Sequence, residues 1–129
     1  MFDRLRAHVS KLVPLTDEEF PACASLILPK RLRKGAYLVQ EGEVSKYLAF
    51  VTSGLLRSYG VDKKGEEHIV QFGLEGWWIS DLYSFLTGKP GRQYIDALED
   101  SDVLLIDSLT YEKLCTTVPK FERYFRILL

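Results

Sequence analysis

Short segments of strand-forming residues, separated by turns that contain glycine, fill the middle of this chain and constrain its fold more than any other feature. The predicted strands are 32–34, 36–40, 47–52, 55–61, 67–74, 77–79, 93–98 and 103–106. The sequence Lys63-Lys64-Gly65, which lies between two of these segments, is typical of a hairpin turn. Short strands at this spacing predict a sandwich or barrel rather than a parallel α/β sheet.

A short helix is predicted inside the strand region, within residues 75–99. Ser80 is expected to be its N-cap, with Asp81 in the first turn, where negative charge suits the helix dipole. Gly88 lies where helices often end in the left-handed conformation. The first backbone N–H groups of such a helix lack intrahelical partners and are free to bind an anion. Two interpretations of Ser80 and Asp81 therefore stay open, one as helix caps and one as ligand-binding residues.

Helical patterns flank the strand region on both sides. Residues 2–12 carry apolar side chains at steps of three and four, and Thr16 with Glu19 forms a capping box that begins a second helix. After the strands, Ser108 is expected to be the N-cap of a further helix. The sequence therefore predicts one domain that is mainly β with flanking helices. Its parts are N-terminal helices in 1–28, the strand region in 29–107 and C-terminal helices in 108–129.

The last of these helices begins at Pro119 and carries an apolar stripe at positions i, i+3, i+4 and i+7. The stripe consists of Phe121, Tyr124, Phe125 and Leu128. A helix of eleven residues is too short to be stable in water on its own. The stripe must therefore pack on another apolar surface, and part of it can lie on the strand region.

Composition and charge exclude several classes of function. The 129-residue chain has a formal net charge of -1, which is not that of a chain that grips nucleic acid by itself. No apolar run approaches the roughly 18 residues needed to span a bilayer, and no secretory signal pattern begins the chain. Cys23 and Cys115 make neither a CxxC motif nor a disulfide framework. The sequence therefore predicts a cytoplasmic protein with reduced thiols and no membrane partner.

Catalytic and metal-binding patterns are absent from the sequence. His8 and His68 are too few and too far apart to ligate the metal of a β-barrel enzyme such as a cupin. There is neither a Gly-x-Ser-x-Gly elbow nor a P-loop. We therefore expect a protein that is not an enzyme, with no catalytic residues, no metal and no cofactor. A cupin-like enzyme is the weaker alternative.

Four motifs occur together in the order found in one known family. They are Leu32-Arg33-Lys34-Gly35, Gln40-Glu41-Gly42-Glu43, Val51-Thr52-Ser53-Gly54-Leu55-Leu56-Arg57 and the run 76–97. With the flanking helices, these motifs resemble the cyclic-nucleotide-binding sensor domain of the Crp/Fnr family of bacterial transcription regulators. The run 77–85 is similar to the branch of that family common in Bacteroidetes. The resemblance implies a β-roll, which is a double-stranded β-helix, for residues 29–107.

The resemblance also implies a ligand site, built as a phosphate-binding cassette around the short helix. The residues it implies are Ser80, Asp81, Leu82, Arg92 and Gln93. In cAMP binders of this kind a glutamate takes the ribose hydroxyl and a later arginine takes the cyclic phosphate. Here Gly91 matches the arginine and Arg92 is displaced by one residue, which in a strand turns a side chain to the opposite face. We therefore expect a sensor that does not respond to cAMP. The ligand, a small anion or another nucleotide, stays unidentified, and Arg92 is equally open to interpretation as a solvated turn residue.

The resemblance further implies the partners. It implies a homodimer about a two-fold axis through the last helix, with Phe121, Tyr124, Phe125 and Leu128 as the contact. DNA binding in the family belongs to a C-terminal helix-turn-helix domain, so this chain alone is expected not to bind DNA. The alternative from another class is a degenerate roll that binds no small molecule and serves only to dimerise its partner domain.

Overall fold

The computed structural model describes residues 1–128 and consists of two antiparallel sheets with helices before and after them. The helices are α1 (Asp3–Leu12), α2 (Glu19–Ala24), α3 (Leu82–Thr87), α4 (Ser108–Thr117) and α5 (Pro119–Leu128). The strands are β1 (Leu28–Leu32), β2 (Tyr37–Val39), β3 (Tyr47–Ser53), β4 (Leu56–Val61), β5 (Glu67–Gly73), β6 (Trp78–Ile79), β7 (Tyr94–Ala97) and β8 (Ser101–Asp107). The predicted fold class, a β-roll with flanking helices, is confirmed.

Each sheet contains four strands. One sheet has the strand order β1-β8-β3-β6 and the other has the order β2-β7-β4-β5. Consecutive strands of the chain alternate between the sheets in the first and last parts of the roll, and only the β4–β5 hairpin stays within one sheet. Its turn, at residues 62–66, is the hairpin turn that the sequence predicted. Short crossings between the sheets leave a closed apolar interior between them.

The two central strands of the β1-β8-β3-β6 sheet, β8 and β3, are buried on both faces. Along β3, Ala49 and Val51 face the interior of the roll, while Leu48 and Phe50 face the helices. The same alternation in β8 gives two cores, one inside the roll and one under the helices. A strand covered on both sides is hydrophobic at successive positions, which explains the continuous apolar sequence of β3.

The apolar stripe of α5 belongs to the core under the helices. Phe121, Tyr124 and Phe125 are at most 1% exposed and pack with residues of α1, α2 and α4. This corrects the expectation that these three side chains form a dimer contact, because the chain's own core already covers them. Leu128 is half-buried against the same core, and Ile127, on the outer side of α5, is 51% exposed.

Local details of the helices both confirm and correct the sequence predictions. The capping box is confirmed, because the Thr16 N–H donates to Glu19 Oε1 at 2.8 Å and the Glu19 N–H donates to Thr16 Oγ1 at 3.3 Å. The predicted N-cap of α4 was wrong by one residue, since Asp107 Oδ1 accepts from the Thr110 N–H at 2.7 Å. Within residues 1–128, each helix is too short or too polar to cross a bilayer.

A chain of three polar side chains crosses the core under the helices. Trp78 Nε1–H donates to the Tyr124 hydroxyl oxygen at 2.8 Å, and that hydroxyl lies 2.6 Å from His8 Nδ1. The tyrosine oxygen accepts from the indole N–H, and its bond with His8 Nδ1 is donated by either partner according to the imidazole tautomer. Burial, with a contribution from Lys11, lowers the pKa of His8 below its ordinary value.

Phe125, one of the three buried aromatic residues of α5, gives the first prediction. Phe125→Glu should lower the free energy of unfolding by more than the ~3–5 kcal/mol typical of Phe→Ala, because it also buries a charge. Ile127→Glu is the matched control on the same helix, and it should change the stability by about 0.5 kcal/mol or less. Urea unfolding followed by circular dichroism measures both. Similar losses of unfolding free energy in Phe125→Glu and Ile127→Glu would contradict the conclusion that Phe125 is buried and Ile127 is not.

The lowered pKa of His8 gives a pH dependence. As the pH falls, His8 is protonated at a higher pH in the unfolded chain than in the folded protein, because the folded state favours the neutral ring. The contribution of His8 to stability should therefore be fully present above about pH 6.5 and decrease below it. The measurement is the difference in unfolding free energy between wild type and His8→Gln across pH 7.5–5.5. A difference that does not vary with pH would contradict the prediction.

Candidate functional site

The short helix α3 is held at both ends by local hydrogen bonds. Asp81, not Ser80, is its N-cap, because Asp81 Oδ1 accepts from the Ser84 N–H at 3.3 Å. Ser80 instead donates its hydroxyl hydrogen to the Tyr47 carbonyl at 3.2 Å, which corrects the prediction. At the other end Gly88 adopts φ 72°, and its N–H donates to the Ser84 carbonyl at 2.9 Å. The left-handed end at Gly88 is as predicted.

Ser84 connects α3 to two other segments. Its hydroxyl donates to the Lys89 carbonyl at 2.6 Å and accepts from the Ser45 N–H at 2.7 Å. The residue is fully buried, so both bonds are shielded from water. The sequence analysis did not identify Ser84 as a site residue. The signal in the sequence was a serine that lies between Leu82 and Phe85 on a short helix.

The loop after α3 is fixed by the backbone of Gly91. The Gly91 N–H donates to the Glu43 carbonyl at 3.0 Å, and the Gly91 carbonyl accepts from the Gly42 N–H at 3.0 Å. A Cβ atom placed on Gly91 would lie only 2.2 Å from Asp81 Oδ2 and 3.2 Å from Ser84 Cβ. The Asp81 carboxylate thus fills the space into which a side chain at residue 91 would extend.

The structure separates the other predicted site residues. Asp81 is 4% exposed, whereas Arg92 lies on the surface in a bend between Gly91 and β7. Ser80 and Leu82 are half-buried, and Leu82 packs on the core under the helices. Gln93 is half-buried, and its side-chain oxygen is buried without a hydrogen-bond partner. Of the predicted site residues, Asp81 and Gln93 therefore have polar side-chain atoms inside the protein, and Ser80 is partly buried.

A second buried polar group without a partner lies on β4, the strand next to β7. Ser58 in β4 lies opposite Ile95 in β7, so these two side chains point to the same side of the sheet. Ile95 belongs to the interior core of the roll, which identifies that side as the inside. Ser58 is 1% exposed, and its hydroxyl has no hydrogen-bond partner among the residues described. The sequence analysis missed Ser58, although a serine between inward-facing apolar residues was its signal.

The outer face of the same sheet has its polar groups satisfied. Arg57 and Asp96 lie directly opposite each other, with Arg57 Nε donating to Asp96 Oδ1 at 2.9 Å. The Arg57 guanidinium also lies 4.1 Å from the centre of the Tyr59 ring, which stacks on Tyr94. The hydrogen bond with Asp96 raises the pKa of Arg57, and burial raises the pKa of Tyr59. The contrast with Ser58 shows that its unpaired hydroxyl belongs to the inside of the roll.

A cluster of potential metal ligands lies outside the roll, at the β4–β5 turn. Within residues 1–128, Asp62, Glu66 and His68 bring one ligand atom each within 4.8 Å of one another. All three are exposed, and Asp62 already closes the turn by accepting from the Lys64 N–H at 2.8 Å and the Glu66 N–H at 3.0 Å. The cluster is thus explained by the geometry of the hairpin turn.

Comparison with known proteins agrees with this geometry. The family model described as "Cyclic nucleotide-binding domain" matches residues 29–117, which is more than half of the chain. The chain therefore belongs to the cyclic nucleotide-binding domain family. A fumarate and nitrate reduction regulatory protein of Vibrio cholerae is 31% identical over 96 residues, which are 73% of this chain and 37% of that protein. The chain thus matches little more than a third of that relative's length.

Solved structures share the fold. The catabolite activator protein of Thermus thermophilus superposes with a TM-score of 0.80 at 20% identity, covering 94% of this chain and 55% of that one. The sensor domain of the transcriptional regulator DNR from Pseudomonas aeruginosa gives 0.77 at 19% identity, covering 98% and 85%. Together with the sequence relatives, these matches confirm the resemblance to Crp/Fnr regulators.

The contact between Gly91 and Asp81 is testable by a pair of glycine substitutions. Gly91→Ala should destabilise the domain by about 1–3 kcal/mol, because the new methyl group overlaps the buried carboxylate. Gly60→Ala is the control, since its Cβ would meet only the Arg92 carbonyl at 3.8 Å. In an Asp81→Ser background, which keeps a capping oxygen on a shorter side chain, most of the Gly91→Ala loss should disappear. Equal losses in both backgrounds, measured by urea unfolding, would contradict the contact.

Proposed function

We propose that this chain is the ligand-sensing regulatory domain of a Crp/Fnr-type transcription regulator, and that cAMP is not its ligand. The observation that carries the proposal is Gly91 in place of the arginine that holds the cyclic phosphate, with the Asp81 carboxylate in the space beside it. The exposed Arg92 does not replace that arginine. The chain is proposed to act by binding, not by catalysis, in the cytoplasm.

Electrostatics supports the exclusion of cAMP. A buried phosphate needs hydrogen-bond donors or a cation, since an unpaired buried charge is costly. At this cassette the phosphate would instead face Asp81, a carboxylate that is 4% exposed, and like charges in a water-poor site repel strongly. The N–H group of Ser84, in the first turn of α3, is already bonded to Asp81 and is not available to a phosphate.

The unpaired groups inside the roll support a sensor over a degenerate roll. An unsatisfied buried hydroxyl or amide costs roughly 1–3 kcal/mol, and a purely structural roll would be more stable with an apolar residue in its place. Ser58 and the side-chain oxygen of Gln93 are such groups, and Ser58 lies on the face that points into the roll. Sites where stability is given up are often functional sites. A neutral ligand with hydrogen-bonding groups would satisfy both.

The proposal includes a homodimer, whose contact cannot use the buried part of the stripe. Since Phe121, Tyr124 and Phe125 are in the core, the contact is assigned to the outer side of α5 around Ile127. Sedimentation of the Ile127→Glu variant used above for stability tests this assignment. A wild-type dimer unaffected by Ile127→Glu would contradict it. DNA binding, as in the relatives described as transcription regulators, is proposed for a separate domain and not for these residues.

Calorimetric titration with cAMP tests the exclusion. Wild type should give no saturable heat at millimolar nucleotide, because the phosphate has no cationic partner. Arg92→Ala and the control Arg33→Ala, which removes an exposed arginine from a turn outside the cassette, should behave like wild type. Micromolar binding by wild type that is lost in Arg92→Ala and kept in Arg33→Ala would show that Arg92 holds the phosphate, and would overturn the proposal.

A further inference from the structure

A second concave site lies outside the roll, between α1, β6 and the end of α5. The cleft has a volume of about 730 Å³, which is within the range of small-molecule sites. Arg4, His8 and Lys11 of α1 form one wall, and Trp77 forms part of the opposite wall. Leu128, in the last turn of α5, closes one end. Asp81, Gly91 and Gln93 do not line the cleft, whereas Ser80 and Leu82 do, so the cleft lies next to the cassette and shares these two residues with it.

The walls of the cleft differ in character. Leu48, Leu82 and Leu128 supply apolar surface, and Trp77 presents an indole that is 50% exposed. The rim carries two cationic groups and one carboxylate. Arg4 Nη2 lies 3.1 Å from Glu75 Oε2, so this pair cancels and Lys11 remains as the net charge while His8 is neutral.

Trp77 is exposed in a way that neither core explains. Its neighbour Trp78 is packed on Phe50 and Phe125 with ring centres 5.2 and 5.5 Å away, while Trp77, which precedes β6, is 50% exposed and belongs to neither core. A large exposed aromatic side chain beside a cleft with a cationic rim is a typical contact surface for a planar ligand.

We propose that this cleft binds an organic monocarboxylate with a planar apolar body. The body would lie against Trp77 and the leucines, and the carboxylate would lie at Lys11. Because the lining includes residues of α1, β6 and α5, the ligand would join the N-terminal helix to the last turn of α5. The inference goes beyond the proposed sensing of a ligand inside the roll, because Asp81, Gly91 and Gln93 take no part in it.

Two-dimensional NMR with 2-naphthoate as the probe tests the site. The chain has two tryptophans, so its spectrum contains two indole N–H signals, and that of Trp78 is identified by its hydrogen bond to Tyr124. At pH 7.5, 2-naphthoate should shift the Trp77 indole and the Leu128 amide saturably with one binding constant. The neutral 2-naphthamide, which has the same ring system, should bind about five- to tenfold more weakly.

Charge reversal supplies the matched variants. Lys11→Glu should weaken 2-naphthoate about tenfold and leave 2-naphthamide unchanged, because only the acid uses the charge. Lys64→Glu makes the same change at the exposed β4–β5 turn and should alter neither. Circular dichroism confirms that each variant is folded.

Three results would overturn the proposal. The first is no shift of the Trp77 indole at millimolar 2-naphthoate. The second is equal binding of 2-naphthoate by wild type and Lys11→Glu. The third is a Trp77 signal that changes with protein concentration in the absence of probe and is not displaced by it, which would assign the cleft to contact with a second copy of the chain.

Discussion

The burial of β3 and β8 on both faces of their sheet is the constraint on which the rest of the structure depends. These two strands contribute alternate residues to the core inside the roll and to the core under the helices. The two cores therefore cannot be altered independently, since a shift of one residue in β3 would exchange Ala49 and Val51 with Leu48 and Phe50. This fixed sheet is the base against which both α5 and the cassette are positioned.

The cassette keeps its hydrogen-bonded frame although it has no arginine at residue 91. Ser84 and Gly91 connect α3, its return loop and the turn at residues 42–45 through hydrogen bonds of 2.6–3.0 Å. None of these bonds requires an arginine at residue 91, because they use backbone groups and one serine hydroxyl. The hydrogen-bonded frame therefore stands beside the Asp81 carboxylate without an arginine, and in the proposed function the neutral groups of Ser58 and Gln93 bind the ligand.

Much of the fold could be predicted from the sequence, because its signals depend on nearby residues. The strand-and-glycine pattern predicted the roll, and the motifs of the Crp/Fnr resemblance gave the family. The site depends on contacts between distant segments. The resemblance implied Asp81 and Gln93 as ligand-binding residues, and both have polar side-chain atoms inside the protein, while Ser84 and Ser58 were not predicted from the sequence. Their importance comes from partners in other segments, as in the bond from Ser45 to Ser84, which spans 39 residues.

The sequence by itself determined the features that involve only residues close together in the chain. These are the Thr16–Glu19 capping box, the left-handed Gly88 and the hairpin turn before β5. Each needs only the geometry of adjacent backbone, so local residue types are sufficient. The tertiary structure alone decided what covers the α5 stripe, since a helical pattern shows that a face must be buried but not against what. It also decided that Asp81 rather than Ser80 caps α3, because Ser80 is bound to Tyr47 in a neighbouring strand. The side of the sheet to which Ser58 points was likewise fixed by strand register, which joins residues far apart in the chain.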